Sequence, residues 1–153
     1  MKHTLRHLLI FFAMIAMFGA CSSNSQIWDE MPAPITKFIN RYFPNLAIDT
    51  YDHNDNTYYV KLRGSDAMTF GRDFAWESID GLGEKLPQIF LFDQLPPAFY
   101  EYLQSIEATD GVYSVMRDSR TYNVMLLNGS LTYNIETGNI TGSPVIARAN
   151  ISR

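Results

Sequence analysis

Two stretches of the chain carry the same pattern of apolar positions, 64 residues apart. The first stretch carries Ile35, Phe38, Ile39 and Tyr42, and the second carries Phe99, Tyr102, Leu103 and Ile106. Each set has i, i+3, i+4, i+7 spacing, which places four apolar side chains on one side of an amphipathic helix. The pattern therefore predicts two helices that each pack one side against a core.

The same offset continues into segments whose apolar positions alternate. The matched pairs are Ile48 with Val112, Thr57-Tyr58 with Thr121-Tyr122, Val60 with Val124, and Leu62 with Leu126. Alternation is typical of half-buried strands, and Asn128-Gly129 is a strong signal for a two-residue hairpin. We therefore predict an α+β fold. It is a tandem duplication in which a helix is followed by an antiparallel sheet of three or four strands, twice.

The repeat also divides the chain. The first unit is predicted over 29–80 and the second over 93–142. Residues 81–92 form a predicted linker, whose apolar run Ile89-Phe90-Leu91-Phe92 we expect to pack between or across the units. Residues 143–153 have no counterpart and receive no assignment.

Alternation further predicts which strand residues point away from the helices. With Tyr58, Val60 and Leu62 inward, the outward residues are Tyr59, Lys61 and Arg63. With Tyr122, Val124 and Leu126 inward, the outward residues are Asn123, Met125 and Leu127, with Tyr113 and Val115 as their neighbours on the adjacent strand. This predicted outward surface is unusually apolar for an antiparallel sheet that is covered on one side only. We favour internal cover by Ile89–Phe92 or by Val145-Ile146. The alternative is a docking face for a protein partner, formed by Tyr59, Tyr113, Val115, Met125 and Leu127.

The N-terminus predicts export and anchoring. Residues 1–20 have a basic start at Lys2 and Arg6, an apolar centre and a small-residue end, as in a signal peptide. Phe18-Gly19-Ala20-Cys21 resembles the lipobox of bacterial lipoproteins, which implies lipidation of Cys21 and attachment to a membrane. An ordinary signal peptide with an incidental cysteine is the alternative. Residues 21–28 are interpreted as a flexible tether.

The repeat has a family resemblance. The residues that carry it are Pro32, Ile35, Phe38, Ile39, Tyr42, Phe43, Pro44, Tyr58-Tyr59-Val60-Lys61-Leu62, Met68-Thr69-Phe70 and Trp76. They resemble the PepSY-like family of secreted bacterial proteins, which is also described as beta-lactamase-inhibitor-like. The resemblance implies paired helix-and-sheet units, a periplasmic or surface location, and binding or inhibition of a protein such as a peptidase. It implies no catalytic residues.

Candidate chemistry is sparse. Once the leader is removed, His53 is the only histidine, and it lies in a predicted polar turn. The segment that begins at Asp52 has the start of a calcium loop, but Thr57 stands where such a loop needs glycine, and Arg63 where it needs glutamate. Without Lys2 and Arg6 the chain has ten basic and sixteen acidic residues, a net charge of −6, and no basic patch. Nucleic acid is therefore excluded as a partner.

These observations favour a non-catalytic envelope lipoprotein that binds a protein partner, such as a peptidase or another envelope protein. No cofactor and no metal are expected. A structural lipoprotein without a dedicated partner and a small hydrolase dependent on His53 are the alternatives.

Overall fold

The computed structural model describes residues 23–144, in two units, Met1–Met31 and Pro32–Arg153. The described part of the first unit is helix α1 (Ser23–Glu30), followed by Met31, whose N–H donates to the carbonyl of Ile27 at 3.1 Å. The sequence predicts a flexible tether over 21–28, whereas the structure has a helix from Ser23. The segment contains no glycine or proline, the two residues that most disfavour a helix. Cys21 and the predicted signal peptide lie outside the described residues. None of the helices within 23–144 is long and apolar enough to cross a membrane.

The second unit is built in two successive halves with the same order of elements. The first half has α2 (Ala33–Tyr42), β1 (Ile48–His53), β2 (Thr57–Leu62), β3 (Ala67–Gly71) and β4 (Trp76–Asp80). After α3 (Gln88–Gln94), the second half has α4 (Pro97–Ser105), a 3₁₀ turn (Thr109–Gly111), β5 (Val112–Arg117), β6 (Thr121–Leu126), β7 (Gly129–Asn134) and β8 (Ile140–Pro144). The eight strands form one antiparallel sheet in chain order, so the α+β class is confirmed.

Prolines set the limits of the first helix. Pro32 precedes α2 and Pro34 occupies its first turn, where a missing N–H costs no helical hydrogen bond. The helix ends at Tyr42, because Pro44 disfavours the helical conformation of Phe43, whose φ and ψ are −130° and 53°. The helix predicted from the apolar spacing is therefore present and ends where the sequence indicates.

The two halves share their strand register. In the first half Ile48 pairs with Leu62 and Tyr51 pairs with Val60, and in the second half Val112 pairs with Leu126 and Val115 pairs with Val124. The β1–β2 and β5–β6 pairs each contain one extra residue, Asp49 and Tyr113, at a β-bulge in the first strand. All paired positions of β1–β2 recur in β5–β6 at the offset of 64.

The core lies between the sheet and helices α2, α3 and α4. Phe38 of α2 makes an edge contact with Phe70 at 5.3 Å between ring centres, and Phe99 of α4 stacks on Tyr133 at the same distance. The fully buried strand residues on this inner face include Val60, Met68, Phe70, Ile79, Val115, Val124 and Leu131. Tyr102, the counterpart of Phe38, is half-buried.

The predicted linker contains α3. Phe90 and Leu91 are fully buried, and the Phe90 ring lies 5.3 Å from Trp76 and 6.1 Å from Phe38. This helix therefore packs on the inner face, beside α2. Its other side is exposed, with Ile89 53% and Phe92 66% accessible.

A polar network joins α2, α3 and β4 at the edge of this core. The indole N–H of Trp76 donates to Oε1 of Gln94 at 2.7 Å, and Nε2 of Gln94 donates to the Tyr42 hydroxyl at 2.7 Å. That hydroxyl donates to Asp93 at 3.3 Å, and Arg41 forms an ion pair with the same carboxylate. The network therefore gives the buried indole N–H of Trp76 the hydrogen-bond acceptor that it needs.

Candidate binding surface

The face of the sheet opposite the helices carries two continuous rows of side chains. One row runs through Asp52, Tyr59, Thr69, Ser78, Met116, Asn123, Thr132 and Thr141, which are paired across successive strands. The other row runs through Thr50, Lys61, Ala67, Asp80, Ser114, Met125, Ser130 and Ser143. We call these two rows the outer face. Eight of its sixteen residues are serine or threonine.

Charge is confined to the first half of the outer face. Its three charged residues are Asp52, Lys61 and Asp80, all on strands β1, β2 and β4. The eight outer-face residues of strands β5–β8 carry no charge. Among them Met116 is 52% accessible and Met125 is 50% accessible. This half of the face is therefore a charge-free surface with two exposed methionines.

Hydrogen bonds between neighbouring strands hold several of the small polar side chains. The hydroxyls of Thr69 and Ser78 lie 2.6 Å apart. The hydroxyl of Thr132 donates to Oδ1 of Asn123 at 2.7 Å, and that amide donates to Thr121 at 3.3 Å. The first two bonds link adjacent strands across the outer face, the third lies within β6, and all three restrict the rotamers of the side chains that form them.

The structure places four of the five predicted binding residues at or near the surface. Tyr59, Met125 and Leu127 are exposed, Leu127 to 74%. Tyr113 is half-buried at the bulge of β5, where its carbonyl accepts from the N–H of Gly81 at 2.8 Å. Tyr59 and Met125 belong to the outer face, but they lie on strands β2 and β6, which are separated by three strands of the sheet.

The prediction that Val115 points outward is wrong. Val115 is fully buried and pairs with Val124 on the inner face. The reason is the bulge at Tyr113, which adds one residue to β5 and reverses the alternation that follows it. The same shift brings Ser114 and Met116 to the outer face. Sequence reasoning missed Met116 because only the strand pairing reveals the bulge.

The predicted cover by Ile89–Phe92 is also wrong, because α3 packs on the inner face through Phe90. The second candidate cover, Val145-Ile146, lies outside the described residues. Helices α2, α3 and α4 lie on the inner face and do not cover the outer face. Met116 and Met125 are therefore half-exposed.

The one histidine within 23–144 lies beside two tyrosine rings. His53 is the last residue of β1, and its ring lies 5.7 Å from Tyr51 and 5.8 Å from Tyr58. Its hydrogen bond is made by the main chain, which donates to Asp52 at 2.8 Å. Within the described part of the chain no three histidine, cysteine or acidic side chains are grouped to hold a metal ion.

Comparison with known proteins identifies the fold. No protein-family model matches the chain, and no curated protein matches it significantly. Three solved structures of Bacteroides proteins are similar to it, and each covers 76% of this chain. The first, a proposed periplasmic protein of the DUF2874 family from Bacteroides vulgatus, has a TM-score of 0.65, 17% identity and 93% coverage of its own chain.

The second similar structure is a proposed calcium-regulated periplasmic protein from Bacteroides thetaiotaomicron, with a TM-score of 0.60, 21% identity and 93% coverage of its own chain. The third is a proposed periplasmic protein of unknown function from Bacteroides vulgatus, with a TM-score of 0.60, 18% identity and 94% coverage. At these identities the likeness concerns the fold. The chain has the fold of these three proteins over nearly their whole length.

Proposed function

We propose that this protein is a non-catalytic envelope lipoprotein that binds a protein partner through the outer face of its sheet. The observation that carries the proposal is the charge-free half of that face, on strands β5–β8, with Met116 and Met125 half-exposed in adjacent rows. The cores of protein interfaces are depleted in charge and enriched in methionine and aromatic residues.

The composition of the face favours protein recognition. A solvated sheet face would be expected to carry charged side chains that keep the protein soluble and discourage association. Here serine, threonine and asparagine supply donors and acceptors at little entropic cost, and the methionines supply adaptable apolar contacts. The partner implied is one with an uncharged surface and apolar side chains at its centre.

The dimensions of the face are also suitable. Eight strands about 4.8 Å apart, with five or six residues each, span roughly 35 by 17 Å, or about 600 Å². A stable complex buries about 800 Å² on each partner. The charge-free half on β5–β8 supplies about half of this area, or roughly 300 Å². It would form the centre of such an interface, with the first half of the face and adjoining residues such as Leu127 at its periphery.

Several further parts of the proposal rest on the sequence and on the fold. The lipobox-like segment supports lipidation of Cys21, and the periplasmic descriptions of the three similar structures support a periplasmic location. The common register and the bulges at Asp49 and Tyr113 support an origin by tandem duplication. The residues around Pro32–Pro44 and Trp76 support a PepSY-like, inhibitor-like ancestry.

The experiment is site-specific photo-cross-linking in the native bacterium. A benzoyl-phenylalanine replaces Asn123 or Ser130 on the outer face. As the control, the same group replaces Lys37, which is exposed on α2. We expect one adduct of a defined added mass from the two outer-face positions and none from Lys37, and we expect Met125→Asp to abolish this adduct.

Three results would overturn the proposal. They are no adduct from either outer-face position, equal adducts from Lys37, and an adduct of twice the protein's own mass. The last result would assign the outer face to a second copy of the chain, and not to a different protein.

A further inference from the structure

A second surface, on the helical side of the molecule, has features that the outer face does not explain. Phe92 of α3 and Tyr100 of α4 meet edge to face, with ring centres 5.5 Å apart and planes at 81°. Together with Pro97, Glu101 and Gln104 they line a cavity of about 260 Å³. We call this cavity the aromatic groove.

The groove is not part of the core. α4 packs on the sheet through Phe99 and Leu103, both fully buried, whereas Tyr100, Glu101 and Gln104 lie on other sides of the helix. Phe92 is 66% accessible, although its neighbours Phe90 and Leu91 are fully buried. Phe92, Pro97 and Tyr100 form apolar surface with the polar Glu101 and Gln104 beside it, and apolar surface rimmed by polar residues is a feature of interaction sites.

The first half of the protein lacks this arrangement. At the offset of 64, the positions of Pro97, Tyr100, Glu101 and Gln104 correspond to Ala33, Thr36, Lys37 and Asn40 on α2. Phe92 corresponds to Trp28, but the α2 positions have no ring in place of Tyr100, and they have a base in place of Glu101. The combination of the Tyr100 ring with the Glu101 carboxylate is therefore specific to the second half.

The electrostatics of this region favour a cation. Between Lys85 and Arg117 the sequence contains no lysine or arginine, but it contains Asp93, Glu101, Glu107 and Asp110. Asp93 is paired with Arg41. Within residues 23–144, the side chain of Glu101 takes part in no ion pair or hydrogen bond, so its carboxylate is available to a ligand.

From this geometry we infer that the aromatic groove binds an arginine side chain of a protein or peptide ligand. A planar guanidinium can stack on Phe92 or Tyr100 and pair with the carboxylate of Glu101, as cation–π contacts and ion pairs allow. The protein uses the same chemistry elsewhere. The Arg117 guanidinium lies 4.3 Å from the centre of the Trp76 ring, and Arg41 contacts both Tyr42 and Asp93.

The size of the cavity and its opening to solvent favour a side chain over a small metabolite. Sites for small molecules usually enclose about 300–1,000 Å³ and bury most of the ligand. The aromatic groove is smaller than this and open to solvent, which suits one long side chain of a larger ligand. The inference is independent of the outer face, because the groove lies on the opposite side of the sheet.

The test is a titration of the purified full-length chain, labelled with ¹⁵N, with the peptide Ac-Gly-Arg-Gly-NH₂. Amide shifts are expected to change at Phe92, Tyr100 and Glu101, and to saturate. Ac-Gly-Gln-Gly-NH₂ is the matched uncharged probe and should cause no saturating change. The affinity for the arginine peptide should fall about threefold or more in Phe92→Ala and in Glu101→Gln, as the loss of one exposed cation–π contact or ion pair implies.

Lys37→Gln is the control variant, because Lys37 is the counterpart of Glu101 on α2, and it should leave the affinity unchanged. Amide spectra of each variant establish that it is folded. The inference is overturned if the arginine peptide causes no saturating shifts, or if both groove variants bind it as the wild type does. It is also overturned if vesicles of phosphatidylcholine perturb the same amides and the peptide does not, which would assign the groove to a lipid headgroup.

Discussion

Asp49 and Tyr113 are the extra residues of two β-bulges that lie 64 positions apart in the chain and at the same place in two strand pairs. Each bulge follows a fully or nearly fully buried residue, Ile48 or Val112, and each reverses the alternation of the strand that contains it. The outer face depends on this shift, because it turns Thr50 and Ser114 to the same side as Lys61 and Met125.

The core prediction compares two phenylalanines on α3. Phe90→Ala should lower the free energy of unfolding by about 3–5 kcal/mol, because it empties a fully buried ring site against Trp76 and Phe38. Phe92→Ala should change it by less than about 0.5 kcal/mol, because that ring is largely exposed. Urea unfolding measures both. Equal losses would show that α3 does not pack as described.

A second stability prediction concerns the network around Gln94. Gln94→Ala leaves the indole N–H of Trp76 and the hydroxyl of Tyr42 without their shared partner. The loss should be about 1–3 kcal/mol, as for an unsatisfied half-buried donor. Gln104→Ala is the control, because Gln104 is exposed. Equal melting temperatures for Gln94→Ala and Gln104→Ala would show that the network contributes no stability.

The outer face predicts a separation of stability from binding. Met125→Asp should leave the melting temperature nearly unchanged, because Met125 is half-exposed, and it should abolish the cross-linked adduct. Val115→Asp should unfold the protein, because it buries a charge without a partner on the inner face. A large drop in melting temperature for Met125→Asp would mean that another part of the chain covers the outer face.

The turn between β5 and β6 should respond to acid. Backbone N–H groups of Arg120 and Thr121 donate to the Asp118 carboxylate and hold its pKa below the ordinary value. Such a group stabilises the folded state above its unfolded pKa, and the contribution is lost as the pH falls through the folded pKa.

Asp118→Asn should therefore lose less stability than the wild type on acidification from about pH 5 to about pH 2. The first half provides the reverse test. There the backbone N–H groups of Asn56 and Thr57 donate to Oδ1 of Asn54, the counterpart of Asp118. Asn54→Asp should add acid sensitivity to that turn. Melting curves at several pH values measure both variants, and parallel curves for all three proteins would contradict the assignment.

Anchoring can be tested by fractionation. With Cys21 lipidated, the wild type should sediment with membranes, and Cys21→Ala should become soluble or remain attached through an uncleaved signal peptide. Metabolic labelling with a radioactive fatty acid should mark the wild type alone. Full solubility of both proteins, without label, would exclude the lipid anchor.

The elements that sequence reasoning found are those whose determinants are local. The i, i+3, i+4, i+7 apolar spacing predicts α2 and α4, Pro44 marks the end of α2, and the alternation of Tyr58, Val60 and Leu62 predicts the faces of β2. In that strand Val60 and Leu62 are fully buried.

The features that sequence reasoning missed depend on partners distant in the chain. The bulge at Tyr113 appears only when β5 is paired with β6, so Val115 was assigned to the wrong face. Helix α3 has only seven residues, too few for a clear helical period, so its apolar run predicted a linker that covers the outer face. Strand β8 is the fourth strand that the sequence leaves optional and without bounds in the second unit. Gly142 and Pro144 are unfavourable for strands, and both are tolerated here at a sheet edge.

The strand order β1 to β8 follows the chain without a crossover, and this has a consequence for how the molecule assembles. Six of the seven strand pairings join neighbours connected by a short turn, so little loop-closure entropy opposes any of them. The β4–β5 pairing alone spans a longer connection, which α3 and α4 occupy. Contacts this local are typical of rapid folding. The pairing that joins the two halves closes the longest connection, so we expect it to form more slowly than the six hairpins.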